Sequence, residues 1–112
     1  MARLFGSELS RAETARHCGG HDQLYGVTLL EHVDGPERGV RVLRFRTGSG
    51  LAFEVLPDRG MDIGGLEFHG LPVGWRSPTG FRSPWLHEHD AEGGLGWLRS
   101  FSGIVNTCGL DH

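Results

Sequence analysis

Between Tyr25 and Trp75, clusters of turn-forming residues cut the chain into short apolar-rich runs of similar length, a spacing that suits strands far better than helices. The clusters are Asp34-Gly35-Pro36-Glu37-Arg38-Gly39, Thr47-Gly48-Ser49-Gly50 and Pro57-Asp58-Arg59-Gly60. Each supplies glycine for left-handed backbone, with Pro, Asp or Ser beside it to fix or bond the turn. The runs they bound are Tyr25 to Val33, Val40 to Arg46, Leu51 to Leu56, Met61 to Phe68 and, after Gly70, Leu71 to Trp75. Leu51, Phe53 and Val55 alternate with Ala52, Glu54 and Leu56, and Arg41, Leu43 and Phe45 alternate with Val42, Arg44 and Arg46. That period of two is the signature of a half-buried strand. Gly64-Gly65 inside the fourth run predicts a bulge or a close backbone approach. The 19 glycines point the same way, because glycine favours turns over long helices. An antiparallel meander in an all-β sandwich or barrel is the expected architecture.

The flanks are less regular. Ser10-Arg11-Ala12-Glu13 fits a capping box, in which serine and glutamate satisfy each other's free amides. Alternatively Ser7 caps a helix from Glu8 to His17, and Gly19-Gly20 ends it. Residues 1–22 therefore read as an N-terminal helix or arm and 23–112 as the β domain; 112 residues suffice for one domain. From Arg76 to Glu92 no period survives, and a loop of that length in a small domain is usually functional or disordered. Leu98 to Val105 reads as a short helix or an irregular strand.

Charge and cysteine usage narrow the partners. The net charge is −3, and the 11 basic residues form no run that would track a phosphate backbone, so no nucleic acid is expected. No apolar stretch reaches membrane-spanning length, and Met1 to Arg16 lacks the apolar core of a secretion signal. Cys18 and Cys108, far apart in sequence, read as reduced thiols in a cytoplasmic protein.

Several residues invite a chemical reading, each beside a plainer one. Arg59 and Asp62 sit between apolar neighbours. They form either an ion pair that pins a turn or a fork and carboxylate facing the vicinal hydroxyls of a sugar. His87-Glu88-His89-Asp90, with His17, Cys18 and His21 further back, could chelate a divalent metal. The spacing is generic, though, and solvated loop histidines are the commoner case, so no metal is assigned. Trp75, Trp85 and Trp97 offer either core packing or flat surfaces for a sugar ring. Trp97, following Gly93-Gly94-Leu95-Gly96, is the one expected beside a pocket.

The stretch VLPDRGMDIGGLEFHGLPVGW (Val55 to Trp75), with GGLGWLRSF (Gly93 to Phe101) and NTCGLDH (Asn106 to His112), resembles the aldose 1-epimerase-like proteins of the galactose mutarotase superfamily. More narrowly it is similar to a subfamily catalogued as a domain of unknown function. Gln23 to Val27 and the hairpin from Gly39 to Leu51 fit the same subfamily. The resemblance implies the N-terminal portion of an antiparallel mutarotase-like supersandwich whose concave face binds a sugar, with a buried tryptophan at Trp75. In such proteins a histidine and a glutamate shuttle protons on the ring oxygen and the anomeric hydroxyl, with no cofactor. That division is physically apt, since one group must hold a proton and the other lack one near neutral pH. The family's histidine-glycine motif and late glutamate are expected beyond His112, so no catalytic residue is assigned and the chain alone is expected to be inactive. His112 either contributes to the sugar site or is structural.

Arg59, Asp62, Trp97 and His112 are thus the expected substrate-binding residues, and a small-molecule sugar the expected ligand. The complete protein would interconvert anomers or isomers of an aldose. A non-catalytic carbohydrate-binding protein on the same fold is the alternative, and a small metal-binding domain the less favoured one. A sandwich needs two sheets to cover each other's apolar faces. Leu51, Phe53 and Val55 should therefore be incompletely covered, and self-association through uncovered strands is expected.

Overall fold

The computed structural model describes residues 2–86, 88, 90–105 and 107. Two antiparallel sheets form. The first is a small hairpin, β1 (Ala2–Leu4) with β2 (Ser7–Leu9), turned by Phe5 and Gly6. The helix α1 (Arg11–Thr14) follows at once. Its capping box is present: Ser10 N–H donates to Glu13 Oε2 at 2.7 Å, and Glu13 N–H donates to Ser10 Oγ at 3.3 Å. The longer helix from Glu8 to His17 does not form, because Ser7 to Leu9 is committed to the hairpin.

The second sheet is the expected meander, in spatial order β3 (Gly26–Glu31), β4 (Arg41–Arg46), β5 (Leu51–Leu56), β6 (Asp62–Phe68) and β7 (Leu71–Pro72). The last strand stops at Pro72, which removes a ladder donor, rather than running on to Trp75. Between Phe53↔Leu66 and Val55↔Ile63, β5 advances two residues while β6 advances three, so the bulge falls at Gly64-Gly65 as the sequence predicts. A Cβ on Gly64 would lie 2.9 Å from Cζ of Phe81, so glycine here admits that ring against the sheet. The hairpin docks on the turn between β4 and β5, where Arg3 N–H donates to the Gly48 carbonyl at 2.7 Å.

The register sorts the side chains into two unlike faces. One face carries Val27, Leu29, Leu43, Phe45, Leu51, Phe53, Val55, Ile63, Leu66 and Phe68. Phe45 and Phe53 stack on it with centroids 4.7 Å apart. The other carries Thr28, Leu30, Val42, Arg44, Glu54, Leu56 and Asp62, with an Arg44–Glu54 ion pair at 2.8 Å. The buried core lies on this second, more polar face. Val40, Val42, Leu56 and Phe81 form it, and Phe81 arrives from the strap of residues 76–83 that crosses the sheet. On the apolar face Val27, Leu29 and Phe68 are exposed, at 56%, 59% and 49%, while Val55 is buried and the others are half-buried. The whole surface is 7842 Å², against about 6,100 Å² for a compact protein of this mass. The radius of gyration, 17.0 Å, likewise exceeds the ~13 Å of a compact domain of this length.

Glu37 fastens the strap. Its Oε1 accepts from the Phe81 amide at 3.0 Å and from Arg76, whose guanidinium also lies 5.4 Å from the centre of the Phe81 ring. His32 approaches the other oxygen at 3.4 Å. Burial opposes the charged carboxylate, but the Phe81 amide, Arg76 and His32 outweigh it, so its pKa lies below the ordinary 4.5. A carboxylate with a depressed folded pKa contributes stability that is complete above the unfolded value and is lost as pH falls through the folded one. Glu37→Gln should therefore cost about 2 kcal/mol at pH 7. It should also flatten the fall of the urea midpoint below pH 4.5, leaving the part due to Glu13 and Asp58, whose carboxyls are lowered too. A variant as stable as the parent at pH 7 would show that Glu37 does not hold the strap.

Candidate functional site

The turn between β5 and β6 is built to bring two charges together. Arg59 N–H and Met61 N–H both donate to the Leu56 carbonyl, and Asp62 N–H donates to the Arg59 carbonyl, all at 3.1 Å. Gly60 and Met61 follow one another in left-handed backbone, φ 59° and 65°. For a non-glycine residue such as Met61 that conformation costs about 1 kcal/mol. The result is an ion pair between Arg59 Nε and Asp62 Oδ2 at 3.2 Å. Asp62 is 6% exposed, and its Oδ1 accepts from the Thr107 amide at 2.6 Å, with Thr107 Oγ1 at 3.2 Å. Both carboxylate oxygens are thus engaged. Asp62 positions Arg59 and anchors the chain at Thr107.

Beside this turn lies an open groove of about 470 Å³, within the usual size of a small-molecule site. Three segments line it: Asp58 to Asp62 from the turn, Arg82-Ser83-Pro84 from the end of the strap, and Gly96 to Phe101. Gly96 to Ser100 belongs to a tight helical stretch, Ala91–Ser100, kinked at Glu92, Gly93 and Gly94 and followed by Phe101 in extended backbone. The sequence placed a helix or strand there only from Leu98. Beyond it, Val105 pairs with Ile63 along the upper half of β6. The strap and this segment are tied where Ser77 N–H donates to Ser102 Oγ at 3.1 Å. A second groove of similar size, about 470 Å³, lies by Arg44, Glu54, Trp75 and Phe81.

Three of the four expected site residues therefore meet at one place. Arg59, Asp62 and Trp97 line the same groove. Trp97 is 46% exposed, and its ring stands edge-on to Phe101 at 5.1 Å, which fixes the indole while leaving surface free. His112 lies outside the described residues, as do His87, His89 and Cys108. Among the described residues no group of His, Cys, Asp and Glu is arranged to hold a metal. Trp75 is 56% exposed rather than buried and lines the second groove; it touches Phe101 only loosely, with ring centroids 6.1 Å apart. Trp85, 90% exposed, lines neither groove.

Sequence reasoning missed Arg82 and Ser83. The available signal was the tripeptide Arg-Ser-Pro occurring twice, at 76–78 and 82–84, in a stretch read only as an aperiodic loop. The groove's remaining carboxylate, Asp58, is held by a bidentate pair with Arg41 at 2.8 and 2.5 Å. The hydrogen bond from Arg41 is the main cause of its lowered pKa, so Asp58 is ionised near neutral pH. Among the described lining residues none is a histidine or a glutamate. The described lining offers donors and an aromatic face, and among the described residues it holds no acid and base pair matched for proton transfer near neutral pH.

A family model described as a domain of unknown function (DUF4432) matches residues 37–112. A 1.90 Å crystal structure from Klebsiella pneumoniae, described as a "putative aldose 1-epimerase", is 28% identical to this chain with a TM-score of 0.65. The likeness covers 74% of this chain and 23% of that one, so the chain spans about a quarter of the length of its solved relative. No curated protein matches the chain. The all-β class read from the sequence agrees with this likeness: the chain has the antiparallel β-sandwich type of fold of an aldose epimerase-like protein. No helix among the described residues is long and apolar enough to cross a membrane.

Proposed function

Because the chain belongs to the family described as a domain of unknown function (DUF4432), we propose that its groove is a sugar-binding site in an aldose 1-epimerase-like protein. The observation that carries this reading is the convergence of Arg59 and Trp97 on one open groove. A guanidinium fork matches paired hydroxyl oxygens, and an indole face matches the C–H surface of a pyranose. The likeness to the Klebsiella pneumoniae structure supports the choice of ligand class. In the whole protein the bound aldose would undergo anomer or isomer interconversion by general acid and base, without a cofactor. A cytoplasmic setting belongs to the same proposal, resting on two cysteines placed far apart in the sequence.

A second reading, carbohydrate binding without catalysis, is favoured by one observation. The described groove has no histidine or glutamate, and both of its aspartates are tied to arginines. Polarimetry on the full-length protein with fresh α-glucose or α-galactose separates the two, since only the first reading accelerates relaxation.

For the site itself, titrating D-glucose or D-galactose into the chain should change its tryptophan fluorescence saturably. Trp97→Ala should weaken binding about tenfold, the worth of one aromatic contact. Trp85→Ala, outside the groove, should leave affinity unaltered. Absence of any saturable change in a folded chain, with either aldose, removes the sugar reading.

A further inference from the structure

Among the described residues, the buried side-chain nitrogens and oxygens left without any hydrogen-bond partner are Arg59 Nη1, Arg82 Nε and Ser83 Oγ. All three residues line the Trp97 groove. Buried polar atoms are almost always paired, and an orphaned one carries its full desolvation cost. Three together beside one groove mark a place where an approaching ligand, with a small turn of these side chains, completes the bonding. Ser83 is 3% exposed, so solvent does not satisfy it.

The character of the unmet bonds identifies the ligand's chemistry. Guanidinium nitrogens donate and never accept. The groove's two carboxylates are each held by an arginine: Asp62 by Arg59, with Thr107 on its other oxygen, and Asp58 by both arms of Arg41. A neutral hydroxyl that accepted from these arginines would still need an acceptor for its own proton, and of the three orphaned atoms only Ser83 Oγ could serve. A carboxylate would not, since it only accepts and takes up to about four hydrogen bonds. Charge agrees. Arg59 is matched by Asp62 and Arg99 by Glu92, whereas Arg82 has no carboxylate partner among the described residues. Among the described residues one positive charge is left over.

We propose that this groove selects an aldose bearing a single carboxylate, a hexuronate, over its neutral parent, with Arg82, Arg59 and Ser83 receiving the acid group while Trp97 faces the ring. The inference rests on the sugar reading of the same groove and adds the acid group to it. One uncompensated arginine suits a carboxylate better than a phosphate monoester, which carries nearly two charges near neutral pH.

The test compares affinities of the chain for D-glucuronate, D-glucose, D-galacturonate, D-galactose, glucose 6-phosphate and acetate by calorimetric titration. Each hexuronate should bind at least about tenfold tighter than its parent aldose, with the margin shrinking in high salt. Arg82→Gln should abolish that margin, the loss falling far more on the hexuronates than on the neutral aldoses, the expectation for a group that meets the acid. Should Arg82→Gln fail to fold, Ser83→Ala should reduce the same margin by a smaller factor. Equal affinity for acid and neutral sugars, or a margin that survives Arg82→Gln, overturns the proposal and leaves the sugar reading standing. Glucose 6-phosphate bound more tightly than glucuronate overturns the carboxylate in favour of phosphate. Acetate competing as strongly as glucuronate overturns the sugar part. No binding of any sugar to a folded chain overturns both.

Discussion

Phe81→Ala should abolish cooperative unfolding of this chain. Phe81 is 2% exposed, and with Val40, Val42 and Leu56 it makes up the buried cluster of the sheet. Truncating a buried phenylalanine costs about 3–5 kcal/mol, transfer and cavity terms together. That is comparable to the whole stability of a small domain, roughly 5–15 kcal/mol and nearer its lower end for a core this thin. The cavity would open against Gly64, which has no side chain to collapse into it. Urea titration followed by circular dichroism should show a sigmoid for the parent and a shallow drift for the variant. Phe81→Leu, which keeps most of the volume, should keep the sigmoid at a lower midpoint. A Phe81→Ala transition as sharp as the parent's, within about 0.5 M of its midpoint, would mean that the core lies elsewhere.

The isolated chain should associate with itself at micromolar concentration, and two lysines should reverse this. The surface in excess of a compact protein, about 1,700 Å², is about twice the ~800 Å² that each partner contributes to a standard interface. Part of it lies on the apolar face, and β3 stands at one end of the sheet with its outer edge unpaired by any described strand. Val27 and Leu29 belong to both, and at 56% and 59% exposure they can be replaced with little effect on the core. Val27→Lys with Leu29→Lys sets like charges on that edge, a device natural sheets use against pairing. Sedimentation equilibrium should give an oligomer for the parent and a monomer for the double variant, with affinity lowered at least about a hundredfold. That factor is about 2.7 kcal/mol, plausible for two apolar contacts replaced by repulsion. A parent that stays monomeric at 100-fold higher concentration, roughly the upper range for such contacts, would show that the bare face is inert.

Local signals account for what was legible. Strands β3 to β6, the bulge at Gly64-Gly65, the Ser10–Glu13 cap and the Arg59–Asp62 pair depend on residues near in sequence, whose periodicity or turn chemistry is visible. The hairpin β1–β2 was not visible, because three-residue strands leave no period and its turn uses Phe5 in left-handed backbone, which is unusual for that residue. Nor was the side of the sheet that carries the core. Alternation correctly separated Val42 and Leu56 from Leu43 and Val55, but the aperiodic strap decides which set is covered. Its position depends on Glu37, 44 residues from Phe81. The same contact put Arg82 and Ser83 into the groove, so the unseen core residue and the unseen site residues have one cause.

Phe81 points into the sheet, and the very next two residues, Arg82 and Ser83, line the groove. Interior and recognition surface are therefore threaded on one short peptide. A drift in the size of the aromatic knob shifts the arginine beside it, and an occupant gripping that arginine braces the knob in return. Such a protein cannot exchange its hydrophobic filling freely while keeping the shape of its groove; the two must change together or not at all.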